Sequence, residues 1–187
     1  MVAASLIDTN VLVYRFDPRF PKKQAIATKL LREGLSTDSI RIPHQAVLEF
    51  MAVVTRVRIG TEPLLTQAEA RRETEELLDQ FRILFPNTAV VRTALRGAAS
   101  YQLPWFDAHL WAYAECHGMA ELISEDFEHG RLYGSVRARN PLLNVTDRSL
   151  LVTTSKEDLY FVHARYAPKS EFLKWAIASP RRIRVVE

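Results

Sequence analysis

The run Ser5-Leu6-Ile7, entered almost at the first residue and closed by Asp8, Thr9 and Asn10, constrains this chain more than any other segment. An apolar stretch so short, ended by an acid and small polar residues, reads as a buried parallel strand that delivers a carboxylate to its own C-terminal edge. Open α/β sheets bind their ligands at that edge. Asp8 also has a plainer reading, as the cap of a following turn or helix, with Thr9 and Asn10 as turn formers. What separates the two is whether other acids are similarly placed.

Downstream, strand and helix patterns alternate. Pro21 to Gly34 reads as a helix, with Lys22 and Lys23 at its start, Ile26, Leu30 and Leu31 on its apolar face, and Gly34 as its stop. Ile40 to Pro43 is a short strand, and Gln45 to Val57 has helical spacing around Glu49. From Thr66 to Gln80 a helix carries Glu69, Glu73, Glu75 and Glu76 on what reads as a solvated face. Arg82 to Phe85 is a strand closed by Pro86, and Asn87 or Thr88 caps a helix reaching Tyr101. Pro104 precedes a helix from Phe106 to His117, and Leu122 to Ser124 is a strand running into Glu125 and Asp126. Asn144 and Val145 suggest an edge strand. This rhythm predicts an α/β sandwich on a mostly parallel sheet.

The rhythm ends near residue 145. Residues 1–145 read as one body and 146–187 as an extension in which Tyr160 to Tyr166 suits a strand and Lys169 to Ile177 an amphipathic helix. Lys+Arg and Asp+Glu balance over 1–145, so the net charge of +3 resides in the extension, which includes Arg181, Arg182 and Arg184. A basic tail beside a neutral body suits either a polyanionic partner or a solvated terminus. No run approaches the roughly 20 apolar residues of a membrane span, and Asp8 interrupts the N-terminal apolar stretch too early for a secretory signal. The expected location is the cytoplasm, with no membrane partner. Cys116 has no second cysteine to pair with and reads as a buried small hydrophobe rather than a reactive thiol.

Three acids answer Asp8. Asp126 ends its strand as Asp8 ends the first, so two parallel strands present carboxylates at one sheet edge. Asp107 opens a helix, where free backbone N–H groups favour its charge. Glu49 lies inside an otherwise apolar helical stretch beside Leu48 and Val53, where a lone charge is costly without a partner. Converging carboxylates raise one another's pKa values unless a cation neutralises them. No histidine or cysteine cluster accompanies them, and an all-oxygen set suits Mg²⁺ or Mn²⁺ rather than Zn²⁺. Such an ion keeps waters and commonly works on a substrate phosphate.

The start Asp8-Thr9-Asn10, the helical Glu49, Asp107-Ala108 after Pro104, and Ser124-Glu125-Asp126-Phe127 followed by His129-Gly130 resemble a PIN-domain ribonuclease of the VapC toxin type. Tyr133-Gly134 through Asn140-Pro141-Leu142 has the same character, and the resemblance covers about residues 3 to 145. It implies a three-layer α/β/α sandwich and an acidic quartet of Asp8, Glu49, Asp107 and Asp126 that binds Mg²⁺ or Mn²⁺ for endonucleolytic cleavage of RNA. It also implies that Asn10 and Ser124 orient carboxylates or water. Asp126 matches the motif better than its neighbour Glu125, although a strand-end turn can bring either inward. The implied partners are an RNA substrate, a second copy in a homodimer, and a small antitoxin. The extension 146–187 departs from the compact pattern.

Other readings fit less well. A haloacid-dehalogenase-type phosphatase needs a second aspartate two residues after the first, where this chain has Asn10. A receiver domain needs a late lysine, and none occurs between Lys29 and Lys156. The remaining alternatives are a PIN-like module that binds RNA or protein with little or no hydrolysis, and a housekeeping RNA-processing nuclease. Arg15, Lys22, Lys23 and Arg131 flank the acid-bearing segments and are the candidate phosphate contacts. Tyr14, Phe16 and Trp105 suit either base stacking or the core.

Overall fold

A computed structural model describes residues 4–57 and 62–143. These lie in the first of two units of the chain, Met1–Leu150. The extension 146–187, the edge strand at Asn144 and Val145, and the elements expected at Tyr160 to Tyr166 and Lys169 to Ile177 fall outside the described residues.

The chain runs β1 (Ser5–Ile7), α1 (Thr9–Tyr14), α2 (Pro21–Ser36), β2 (Ile40–Pro43), α3 (His44–Val54), α4 (Gln67–Gln80), β3 (Arg82–Leu84), α5 (Thr88–Tyr101), α6 (Trp105–Cys116), β4 (Glu121–Ile123), β5 (Leu132–Tyr133) and β6 (Val136–Arg139). The sheet has the order β3-β2-β1-β4-β6-β5, parallel throughout except that β5 returns antiparallel to β6. Strands β2 and β3 add on one side of β1, and the chain then crosses to place β4 on its other side. The point where strand order reverses, between β1 and β4, is where a doubly wound sheet opens a crevice.

Side chains alternate across this sheet with period two. Ile7, Ile42 and Ile123 face a core shared with α1, α2, α3 and α4, whereas Leu6, Leu122 and Ala138 face one shared with α5 and α6. Both faces of the sheet are therefore covered, and the layers are helix, sheet, helix. The central strands β1 and β4 have Leu6, Ile7, Leu122 and Ile123 buried between the two helical layers. Helices α4 and α5 begin where the sequence supplies caps: Thr66 and Glu69 form a reciprocal capping box on α4, and the Asn87 side chain accepts from Val90 N at the start of α5.

Four local expectations change. Gly34 does not end α2, which continues to Ser36; a Cβ there would lie 2.1 Å from Ile40 Cδ1, so the glycine permits close packing of helix on strand. Glu73 is buried rather than solvated, with Arg72 and Arg15 as its cationic neighbours. Cys116 is exposed, its Sγ 3.4 Å from Thr93 Oγ1, because it lies at the last turn of α6 beyond the buried stretch Leu110–Ala114. Leu48 is 58% exposed, on the side of α3 away from the buried Ala46, Val47 and Phe50.

Candidate active site

Register builds the first half of the site. Leu6 pairs with Leu122 and Ile7 with Ile123, so the residues that follow, Asp8 and Ser124, leave the sheet side by side. The Asp8 backbone N–H donates to Ile123 O at 3.0 Å, extending the ladder by one step. Asp8 is thus a strand-end acid and a helix cap at once: its Oδ1 accepts from Thr9 N at 2.6 Å at the start of α1. Its other oxygen, Oδ2, accepts from Ser124 Oγ at 2.5 Å and from Asn10 Nδ2 at 2.9 Å. Asp126 is brought beside it by the turn after β4, where Asp126 N donates to Ser124 Oγ at 3.0 Å and Asn10 Nδ2 reaches Asp126 Oδ2 at 3.3 Å. Asn10 and Ser124 therefore join Asp8 and Asp126 through hydrogen bonds.

Helices supply the other two acids. Glu49 sits one turn after Gln45 on α3; its Oε2 accepts from Thr9 Oγ1 at 2.8 Å and its Oε1 from Gln45 Nε2 at 2.9 Å. Asp107 lies in the first turn of α6, where the helix dipole favours a carboxylate. Gln45 spans these two helices, since its Nε2 also lies 3.2 Å from Phe106 O and its Oε1 2.8 Å from His109 Nδ1.

The electrostatics follow from this crowding. Asp8 is pushed well above the usual carboxylate range, chiefly by burial and then by the charge of Asp126, with Glu49 and Asp107 adding smaller repulsions and the Ser124 hydrogen bond opposing them. Glu49 is also raised, again mainly by burial, against the lowering effect of its Thr9 and Gln45 bonds. One buried polar atom here has no partner: Asn10 Oδ1. A buried acceptor without a donor, beside carboxylates held unfavourably charged, is chemistry that a hydrated hard cation would satisfy. Among the described residues, no three Asp, Glu, His or Cys side chains form a ready ligand cluster. The set suits an ion that takes one or two carboxylates and keeps several waters, as Mg²⁺ does, rather than one needing a closed protein cage.

The candidate phosphate contacts differ in their engagements. Lys23 Nζ bonds Glu125 Oε2 and Tyr14 Oη, both at 2.8 Å, and packs over the Tyr14 ring. Glu125 also accepts from Tyr14 Oη at 2.5 Å, so Glu125 is bound to Lys23 and Tyr14 while its neighbour Asp126 is tied to Asn10 and Ser124. Arg15 stands 3.6 Å from Glu73 Oε2, and Arg131 pairs with Glu128 at 3.1 Å and lies over the Tyr133 ring. Lys22 is exposed on the first turn of α2. Tyr14 belongs to the core, Phe16 packs partly buried against it, and Trp105 is 42% exposed.

A family model described as PIN domain matches residues 5–158, most of the chain. The chain belongs to the PIN domain family. Solved structures with the same fold include a toxin-antitoxin complex from Klebsiella pneumoniae, 20% identical with a TM-score of 0.54 over 74% of this chain and 98% of that one. They also include VapBC2 from Rickettsia felis bound to a DNA fragment from its promoter, 11% identical with a TM-score of 0.56 over 73% of this chain and 98% of that one. A third is FitAcB from Neisseria gonorrhoeae, 20% identical with a TM-score of 0.52 over 74% of this chain and 99% of that one. No curated protein matches the sequence. Among the described residues of this PIN chain, no helix is long and apolar enough to cross a membrane.

Three groups around the PIN acids escape the sequence reading: Thr9, Gln45 and His109. Gln45 has a sequence signal, because residues four apart on a helix face each other and Gln45 precedes Glu49 by that interval. Thr9 and His109 have none, since their roles depend on which helix packs against which.

Proposed function

We propose that this PIN protein is a divalent-metal-dependent endoribonuclease, with Asp8, Glu49, Asp107 and Asp126 as its acidic site and Mg²⁺ or Mn²⁺ as its cofactor. The observation that carries the reading is the Asp8-Asn10-Ser124-Asp126 arrangement, in which Asn10 Nδ2 donates to both carboxylates and Ser124 Oγ donates to the Asp8 carboxylate while accepting from the Asp126 backbone N–H. Burial and mutual repulsion hold Asp8 in an unfavourable charged state that a cation would relieve. When bound, the cation supplies charge neutralisation at a phosphodiester and a more acidic attacking water.

The protein's own residues do the rest. Asp8 and Asp126 are the primary cation ligands in this reading, and the one-sided hydrogen bonding of Asp8 Oδ2 to Ser124 and Asn10 fixes how it presents its lone pairs. Glu49, oriented by Thr9 and Gln45, and Asp107, on the first turn of α6, complete the acidic wall. Arg15, Lys22, Lys23 and Arg131 are the proposed contacts to the RNA backbone. Lys22 is exposed at the start of α2.

The same reading makes the chain the toxin of a toxin–antitoxin pair in the cytoplasm, acting as a homodimer and held in check by a small antitoxin. Its support is that solved structures of this fold include a toxin-antitoxin complex from Klebsiella pneumoniae and VapBC2 from Rickettsia felis. The domain division goes with it: residues 1–145 as the nuclease body, and 146–187 as a basic extension. Expression of the chain should arrest growth, and co-expression of the product of an adjacent small reading frame should relieve the arrest.

A second reading, a PIN body that binds RNA or protein without cutting, draws on the lack of any ready three-residue ligand cluster among the described residues. One assay separates the two. Purified protein with Mn²⁺ should cut RNA, and EDTA or Asp8→Asn should abolish cutting; cleavage that survives Asp8→Asn sinks the metal-site reading, and absence of cleavage at any Mn²⁺ concentration favours binding alone.

A further inference from the structure

Gln45 makes three side-chain contacts, and together they determine its orientation. Its amide meets Glu49 Oε1 at 2.9 Å, Phe106 O at 3.2 Å and His109 Nδ1 at 2.8 Å. A carbonyl oxygen cannot donate and an ionised carboxylate can only accept, so the two amide hydrogens of Gln45 face Glu49 and Phe106. The amide oxygen then faces His109, whose Nδ1 must carry the proton. Every hydrogen-bonding group of the Gln45 side chain is thereby used, and the tautomer of His109 is assigned by elimination.

This small network bridges the two helices that carry site acids. Gln45 and Glu49 are on α3; Phe106, the residue before Asp107, and His109, two residues after it, are on α6. His109 is itself held on both sides by rings, Trp105 at 5.9 Å and Tyr113 at 5.1 Å between centroids. The imidazole is therefore a fixed post, and Gln45 is a strut from that post to Glu49.

We propose that Gln45 is a positioning residue that sets the distance between Glu49 and Asp107, with His109 fixing the direction of its amide. The inference rests on the nuclease reading for its consequence, because what the strut tunes is the capture of a divalent cation by the acidic wall. Groups that orient ligand carboxylates without touching the ion commonly contribute about 10–100-fold in metal affinity.

The test is Mn²⁺ titration by calorimetry on the full chain and its variants, each first shown to be folded by circular dichroism, together with nitrogen NMR of His109 without metal. Gln45→Leu keeps the volume and removes all three contacts; His109→Leu removes the post, while His109→Asn places an amide N–H where Nδ1 sits. The expected result is a loss of about 10–100-fold in Mn²⁺ affinity for Gln45→Leu and His109→Leu, with recovery toward wild type in His109→Asn. A purely structural role would not distinguish leucine from asparagine at 109 in this way. Unchanged affinity in a folded Gln45→Leu or His109→Leu overturns the proposal, and if Gln45→Leu does not fold, the two His109 variants decide it. Wild-type affinity no better than that of Asp8→Asn overturns the nuclease reading instead. The strut is then judged without metal: Nδ1 protonated in wild type and not in a folded Gln45→Leu upholds it, and an unprotonated Nδ1 in wild type removes it.

Discussion

Replacing Ser124 by alanine removes one oxygen and little volume from a side chain with no solvent exposure, so the cost is almost entirely hydrogen bonding. Two bonds matter: Ser124 Oγ donates to Asp8 Oδ2 at 2.5 Å and accepts from Asp126 N at 3.0 Å. The contact from Asn10 Nδ2, at 3.3 Å, adds little, because that group keeps a 2.9 Å bond to Asp8. A bond to a charged group is worth about 1.5–3 kcal/mol and a neutral one about 0.5–1.5 kcal/mol. Their sum is about 2–4.5 kcal/mol, or roughly 4–18 °C in Tm for a domain of this size. The charged bond has its full value only while Asp8 is ionised, and Ser124 lowers the Asp8 pKa against burial and repulsion. The cost should therefore be larger at about pH 8 than at about pH 5, and the variant's loss of Mn²⁺ affinity should be greater at acid pH, where the proton competes. Urea unfolding in EDTA at several pH values measures the first quantity, and calorimetry the second. A destabilisation below about 0.5 kcal/mol at alkaline pH, or one that shrinks as pH rises, refutes the assignment of Ser124 as the donor that holds Asp8 charged.

Asp8 and Glu49 are both raised above their ordinary values, so what they contribute to metal-free stability is complete below the usual carboxylate range and is lost as pH rises through the raised values. Asp8→Asn should accordingly gain on wild type in EDTA as pH is increased, and a stability difference that is flat with pH contradicts the burial argument. Gly97→Ala puts a Cβ 2.3 Å from Trp111 Cζ3; overpacking of about 1–3 kcal/mol should outweigh a helix-propensity gain of about 1 kcal/mol, and a raised Tm would show that α5 and α6 can part without cost. Lys22→Ala should weaken RNA binding uniformly across sequences and reduce the salt slope by about 1. Lys23→Ala should change the slope by less than about 1, because its ammonium is already paired with Glu125; a full loss of about 1 would mean that the pair opens to admit RNA.

Periodicity and punctuation revealed the layers early. The apolar strands and the helix starts at Pro104, Asn87 and Thr66 all appear within a few residues of where the sequence puts them. Local signals misled where a residue's reason lies in another element. Gly34 looks like a stop signal, yet its missing side chain makes room for Ile40. Glu73 looks solvated because its partner Arg15 is distant in sequence. The hairpin β5–β6 was legible but missed: Gly134-Ser135 between Tyr133 and Val136 is a two-residue turn signal, with Gly134 at φ 61°. For the site, strand ends pointed to Asp8 and Asp126, a helix start to Asp107 and a charge inside an apolar helical stretch to Glu49, while the pairing of Asp8 with Ser124 needed the β1–β4 register, and Gln45 with His109 needed the packing of α3 against α6.

The neighbouring strands β1 and β4 hold residues synthesised far apart in time. At about 5–20 residues per second, Asp126 is added on the order of ten seconds after Asp8, and only then can the β4 pairing that joins Asp8, Ser124 and Asp126 form. Until β4 docks, the growing chain holds its first acid as the cap of a short helix. The two strand-end carboxylates are therefore not joined until at least 126 of the 187 residues have been made, and the first acid waits through two thirds of synthesis for its companion.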